Sequence, residues 1–266
     1  TFIGSYGALT AYIIGEGEAI SAIFGGSAFL YSLIFYVIGS IILLVGLRLI
    51  KVFEFWMVLI FLFIIVVIFL FSTFHINIEN LKYIRLDKIL SPYGVILFAF
   101  GGAAAVVPVR EILRKKEKQI SKAIFWGSLT PIIIYSIFAI LVVGVTGLST
   151  SEVATIALGE KVGTYMIIFG NIFAIFAMGT SFLTIGVTLK EFFMFDFRMP
   201  RIFAWLCVVA VPLIIFLVGA RQFIQTMGIA GSLTFGLTGI ILVLMYWKAK
   251  KEGDRQPVYK LPKCRI

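Results

Sequence analysis

Seven stretches of this 266-residue chain carry no Asp, Glu, Lys or Arg: 27–47, 55–74, 91–109, 123–148, 162–189, 202–220 and 222–247. Each reaches the roughly 20 residues that a helix needs to cross a hydrocarbon core. An eighth stretch, 1–25, is as apolar except for Glu16 and Glu18. With 61% hydrophobic residues, 14% charged residues and a mean hydropathy of +1.09, too little polar surface exists to coat a soluble globule of this size. The expectation is an all-α polytopic membrane protein of about eight transmembrane helices.

The net charge of +10 could suggest a nucleic-acid partner, but the placement of the charges excludes it. If eight spans alternate in direction, only Lys82, Arg85, Lys88, Lys161 and Arg221 of the 23 Lys and Arg fall on one side. The rest, including Arg48, Lys51, a cluster from Arg110 to Lys122, Lys190, Arg198, Arg201 and the tail from Lys248 on, fall on the other. Positive residues mark the cytoplasm, so the first span should run outward and the tail should lie inside. The basicity sets topology, with headgroup contact as its further role, and the bilayer is the partner it implies.

The chain begins at Thr1 with its apolar run already under way and shows no readable signal peptide, so it is expected to be the later part of a longer protein. Cys207 and Cys264 alone imply neither a disulfide framework nor a metal site. The connection 149–161 opens Ser149-Thr150-Ser151-Glu152, a capping-box pattern predicting a short surface helix. The internal connection 110–122 could continue a helix as a basic amphipathic arm, and the tail 248–266 reads as loosely ordered. Trp56, Trp126 and Trp247 flank spans as an aromatic belt does.

Within the span 91–109, Ser91 can cap and Pro92 suits the first helical position. Ten residues later come Gly101, Gly102 and then Pro108, which cannot donate to the carbonyl of Ala104. Backbone groups freed between Phe100 and Ala104 must face protein or a water-filled cavity. Two readings stand: a proline kink with glycines for close packing, or a discontinuous helix of the transporter kind, whose half-helix ends offer partial charges to a zwitterion or ion. In the span 162–189, Ala177, Thr180, Ser181, Thr184 and Thr188 share an arc of about 100°. This stripe is either a packing seam of back-bonded hydroxyls or a set of hard oxygens suited to a sodium ion.

Glu16 and Glu18 lie roughly 10 to 14 Å inside the outer end of their span. An unpaired charge at that depth costs several kcal/mol, so each is a candidate proton or substrate carboxylate, or else lines a wet vestibule; two residues apart, they point to different faces. His75 reads as an interface residue rather than a ligand, and Asn171 as a helix–helix hydrogen bond. With one His and no Asp inside the spans, neither a metal motif nor an intramembrane protease can be assembled, so no enzyme, metal or cofactor is expected.

The stretches GVILFAFGGAAAVVP, TSFLTIGVTL and AYIIGEGEAISAIFGG resemble, respectively, the sixth, eighth and third spans of amino acid/auxin permease-type transporters of the amino acid-polyamine-organocation superfamily. In that register the chain covers spans three to ten. The resemblance implies the inverted-repeat, leucine-transporter-like permease fold: residues 1–74 as the last three spans of the first repeat, 75–90 as an external loop, 91–247 as a complete second five-span repeat, and 248–266 as a cytoplasmic tail. It places Phe98 and Phe100 as aromatic wall or gate residues and Gly101 and Gly102 as unwound backbone meeting the substrate. Ala177, Thr180 and Ser181 become half of a sodium site. Many members carry a polar residue where Ala103 stands, and no Lys occurs in 55–74, where some relatives replace the sodium ion with one.

The function expected is secondary active transport of neutral or aromatic L-amino acids across the cell membrane by alternating access, coupled to sodium or protons. The rival readings are a channel, a non-transporting membrane scaffold or inactive fragment, and a transporter of another small organic solute. The first would need polar linings on more spans than the third, sixth and eighth.

Overall fold

Hydrocarbon offers the backbone no water, so each apolar run must satisfy its own N–H and C=O groups, and the helix is the one open chain segment that does so. The computed structural model describes residues 2–45, 50–83, 85–102, 106, 109–110, 113–114, 116 and 119–252. Their elements are all helical: α1 (Phe2–Phe24), α2 (Ala28–Val45), α3 (Ile50–Thr73), α4 (Tyr93–Ala99), α5 (Ile120–Thr146), α6 (Ala154–Val162), α7 (Thr164–Phe195), α8 (Arg201–Val218) and α9 (Phe223–Glu252). Short 3-10 turns occupy Ile78–Leu81, Leu86–Lys88 and Gly147–Ser149.

Among the described residues five helical segments are long and apolar enough to cross a membrane: Ala28–Val45, Ile120–Ser149, Thr164–Phe195, Arg201–Val218 and Phe223–Ala249. The count of eight is not reached there. α3 contributes the shorter apolar segment Leu59–Thr73, and α1 has the length, 23 residues, but carries both glutamates. α4 is only 7 residues, about 10 Å at the α-helical rise. Ser91 does not cap it, because the chain enters through turns closed by Ser91 N–H to Lys88 and Tyr93 N–H to Leu90 carbonyls. The expected basic arm is not one helix either, since a turn interrupts it at Leu113–Arg114. Ala103, Pro108, Cys264 and the tail beyond Glu252 lie outside the described residues, as does the side chain of Trp56.

α1 is the central element, packed on α2, α7, α8 and α9, with Ala8, Leu9, Ala11 and Ile13 fully buried. Small residues let it approach its neighbours: Gly7 meets Ala230, Gly4 meets Thr234 and Gly17 meets Ser32. Close approach of this kind is how helices gain dispersion contact in lipid, where apolar burial gives no extra drive. A second cluster joins Ile68 of α3, Leu141, Val142 and Val145 of α5, Leu158 of α6 and Met166 of α7. Ile34, Val37, Ile38 and Ile41 of α2 stay exposed, as a lipid-facing stripe requires.

Contacts between some helix ends join segments that the charge count had placed on one side. At one face, Asn80 donates to the Gly144 carbonyl at the end of α5 (2.9 Å). On the same face Glu152 accepts from the Ile224 N–H at the start of α9 (3.1 Å). At the other face, the buried Lys190 donates to the Leu43 carbonyl, and Arg201 donates to those of Leu44 and Val45, both at 2.6 Å. These cations satisfy carbonyls left open by the end of α2. The predicted capping box is therefore corrected. Ser149 bonds back to Thr146 and Ser151 accepts from Ala157 N–H, while Glu152 serves a different helix.

α6 folds back onto α7 through Gly163, whose φ of 128° is strained for any L side chain. There Asn171, fully buried, accepts from the Thr155 hydroxyl at 3.0 Å and donates to the Ile167 carbonyl. It is the helix–helix bond expected from the sequence. Asn171→Leu should cost about 1–3 kcal/mol by orphaning the Thr155 hydroxyl, read as a lower melting temperature of the detergent-purified protein.

Candidate functional site

α4 ends where the glycine pair begins. The last helical bond runs from Phe100 N–H to the Ile96 carbonyl (3.0 Å), and then the N–H groups of Gly101 and Gly102 turn to the carbonyls of Phe98 (3.1 Å) and Phe100 (2.7 Å). The two glycines differ in surroundings. A Cβ on Gly101 would stand 2.0 Å from the ring of Phe235, whereas one on Gly102 would meet nothing within 4 Å. Gly101 thus serves close packing, and Gly102 presents open backbone.

The aromatic residues flanking the break also separate. Phe98 points to the core and meets Phe235 edge to face, with centroids 5.9 Å apart. Phe100 is 44% exposed and tilts against Tyr135 of α5 at 5.7 Å. Tyr12 on α1 lies within electrostatic reach of both Tyr135 and, on α7, Ser181. Phe100 after α4, Tyr135 on α5, Tyr12 on α1 and Ser181 on α7 thus form one line of successive neighbours. An aromatic ring with one polar tip, adjoining open backbone, suits a ligand that is apolar at one end and charged at the other.

On α7 the Thr180 hydroxyl donates to the carbonyls of Phe176 (2.8 Å) and Ala177 (3.2 Å), and Thr188 donates to Thr184 (2.8 Å). These are back-bonded hydroxyls; their oxygens and the carbonyls keep lone pairs. Thr184 and Thr188 are exposed, so the lower part of the stripe is not a seam against another described helix.

The two glutamates have different fates. Glu18 is partly exposed and lies in reach of Glu152 near the end of α1, away from the line just described. Glu16 is fully buried one helical turn beyond Tyr12, on the same face. Its carboxylate sits 3.1 Å from where a Cβ on Gly179 would be, and neither oxygen has a hydrogen-bond partner. His75, by contrast, is exposed and bonds the Phe71 carbonyl at the end of α3.

Tyr12, Tyr135 and Gly179 are the site neighbours that sequence reasoning did not single out. Tyr12 was findable, since it stands four residues before Glu16 and so shares its helix face. Tyr135 and Gly179 had no such signal.

Residues 2–265 match the tryptophan/tyrosine permease family, and the chain belongs to that family. It is a multi-pass membrane permease, a transporter rather than an enzyme. The match is not to the amino acid/auxin permease type that the three motifs resemble; a glycine-broken helix and a Thr-Ser pair are short signals that do not separate one permease family from another. No curated protein and no solved structure matches the chain.

Proposed function

We propose that this member of the tryptophan/tyrosine permease family carries aromatic L-amino acids, tryptophan and tyrosine first among them, by alternating access. The observation that carries this reading is the interruption of α4 at Phe100–Gly102 beside the aromatic line Phe100, Tyr135 and Tyr12. An indole or phenol ring would stack there, and the open backbone at Gly102 would take an amino or carboxyl group, as broken helices in transporters do.

The remaining assignments follow from that reading. Phe98 anchors the end of α4 on Phe235, and Gly101 lets α4 approach the same ring. Ala177, Thr180 and Ser181 offer oxygens beside the same site for a sodium ion, the alternative coupling ion being a proton. The inverted-repeat reading, with 1–74 closing the first repeat and 91–247 forming the second, would set α4 at the midplane. The positive-inside rule puts the Lys190–Arg201 face and the tail in the cytoplasm of a cell-membrane protein.

The test is uptake of labelled tryptophan, tyrosine, leucine and alanine into proteoliposomes holding the full chain, with sodium and pH gradients imposed separately. Saturable uptake of tryptophan or tyrosine at least tenfold above leucine and alanine is expected. Equal uptake of all four removes the aromatic preference, and none at all removes the transporter reading.

A further inference from the structure

We propose that Glu16 is the protonation site whose state decides whether α1 closes on α7, so that its carboxyl carries the coupling proton; this rests on the transporter reading above. Glu16 is 0% exposed, both of its oxygens are enclosed, and among the described residues no group hydrogen-bonds either one. The side chain is lodged in the contact between α1 and α7, where the adjacent Gly15 faces Met178 and the missing Cβ of Gly179 makes the notch that holds Oε1.

The groups around Glu16 supply no countercharge. From α1 the neighbours are Tyr12 and Glu18, the latter turned toward Glu152. From α2 they are Phe35, beside the notch, and Ser32, against Gly17; from α7 they are Met178 and Gly179, with Ser181 held by Tyr12. From α8 the titratable Cys207 lies at the level of Tyr6, whose hydroxyl bonds its carbonyl, and from α9 the neighbour at Gly15 is Phe223. The ion pairs among the described residues, Lys82–Glu79 and Arg85–Asp87, belong to the exposed loop after α3.

A carboxylate in this position would cost several kcal/mol, because two charged acceptors would have neither a donor nor a cation. The neutral acid avoids most of that cost. A hard metal cation is a poor alternative, since such ions take several oxygen ligands at once and the described neighbours at the notch, Phe35, Met178 and Gly179, bring no second side-chain oxygen. A proton needs only the carboxyl. With the O–H formed, the α1–α7 contact can close as observed; with the proton released, the carboxylate demands water or donors and the contact must open. One O–H bond is made on the side that supplies the proton and broken on the side that receives it, and nothing else changes covalently. The two states differ at a packed interface, which switches between arrangements rather than deforming smoothly.

The experiment uses the full chain in proteoliposomes. Tryptophan counterflow, driven by preloaded unlabelled tryptophan and needing no ion gradient, reports transport; a trapped pH dye reports protons entering with substrate in net uptake. For the native protein, counterflow that varies at least tenfold with pH and a substrate-dependent dye signal are expected. In Glu16→Gln the dye signal should vanish and the remaining counterflow should lose its pH dependence, while Glu16→Asp should restore both with a displaced pH profile. Gly179→Ala, which keeps the carboxyl but crowds Oε1, should displace the profile as well and serves if the glutamine variant does not fold. A dye signal in Glu16→Gln equal to the native one, or an unmoved profile in both Glu16→Asp and Gly179→Ala, overturns the proposal. Native counterflow with accumulation driven by sodium alone overturns it too, leaving the transporter reading in place. Absence of native counterflow overturns both.

Discussion

Gly231→Leu is expected to leave almost no folded protein. α4 and α9 cross with their backbones nearly touching. A Cβ on Gly231 would lie 1.8 Å from the Gly94 carbonyl oxygen, and one on Gly94 would lie 2.1 Å from that of Gly228. The obstacles are backbone atoms, which cannot rotate away as a side chain can. Inserting methylenes into a packed interface typically costs 1–3 kcal/mol, and here the whole of α4 must move, so about 3 kcal/mol or more is the expected loss. Interfaces between membrane helices depend on such small residues for their dispersion contact. The displaced α4 would also carry Phe98 and Gly101 off Phe235, and with them the candidate site. The control is Gly239→Leu on the same helix, exposed and with nothing within 4 Å of its Cβ position. The measurement is the yield of monodisperse protein in detergent and its melting temperature. Gly231→Leu with the native melting temperature would show that this crossing does not hold α4.

The second large effect separates the two glycines of the break. Gly102→Leu should lower tryptophan uptake at least tenfold, which is about 1.4 kcal/mol of transition-state stabilisation at minimum, while the melting temperature stays at the native value. The reason is geometric: a Cβ at Gly102 meets nothing within 4 Å among the described residues, so the substitution should harm chiefly what enters that space. Gly101→Leu should lose both uptake and stability, because its side chain must displace the Phe235 ring. Uptake by Gly102→Leu within twofold of native would remove Gly102 from the substrate site.

Much of the helix pattern could be read in advance, because crossing a membrane is a demand on local composition. The glycine pair announced the end of α4 to within a residue or two, since each glycine weakens a helix wherever it sits. Asn171 could be read too, as a lone amide in an apolar helix must find a partner. The start of α4 could not. Ser91 and Pro92 look like a cap, but the turns that precede them deliver the chain at another angle. Of the candidate site, Phe100, Gly102 and Ser181 stand on or beside one line, whereas Phe98 and Gly101 turned out to be packing neighbours of Phe235, a residue 134 or more positions away.

By itself the sequence determined that this chain is a helical membrane protein with ends that alternate between two faces, because hydropathy and charge act on each segment separately. Only the tertiary structure decided that Glu16 is enclosed and Glu18 is not, that Lys190 and Arg201 close the end of α2, and that Glu152 caps α9 rather than its own helix. Each of those outcomes depends on which atoms a second helix brings opposite, and helix packing is set by small residues and close approach spread over the whole chain. No local pattern encodes that pairing.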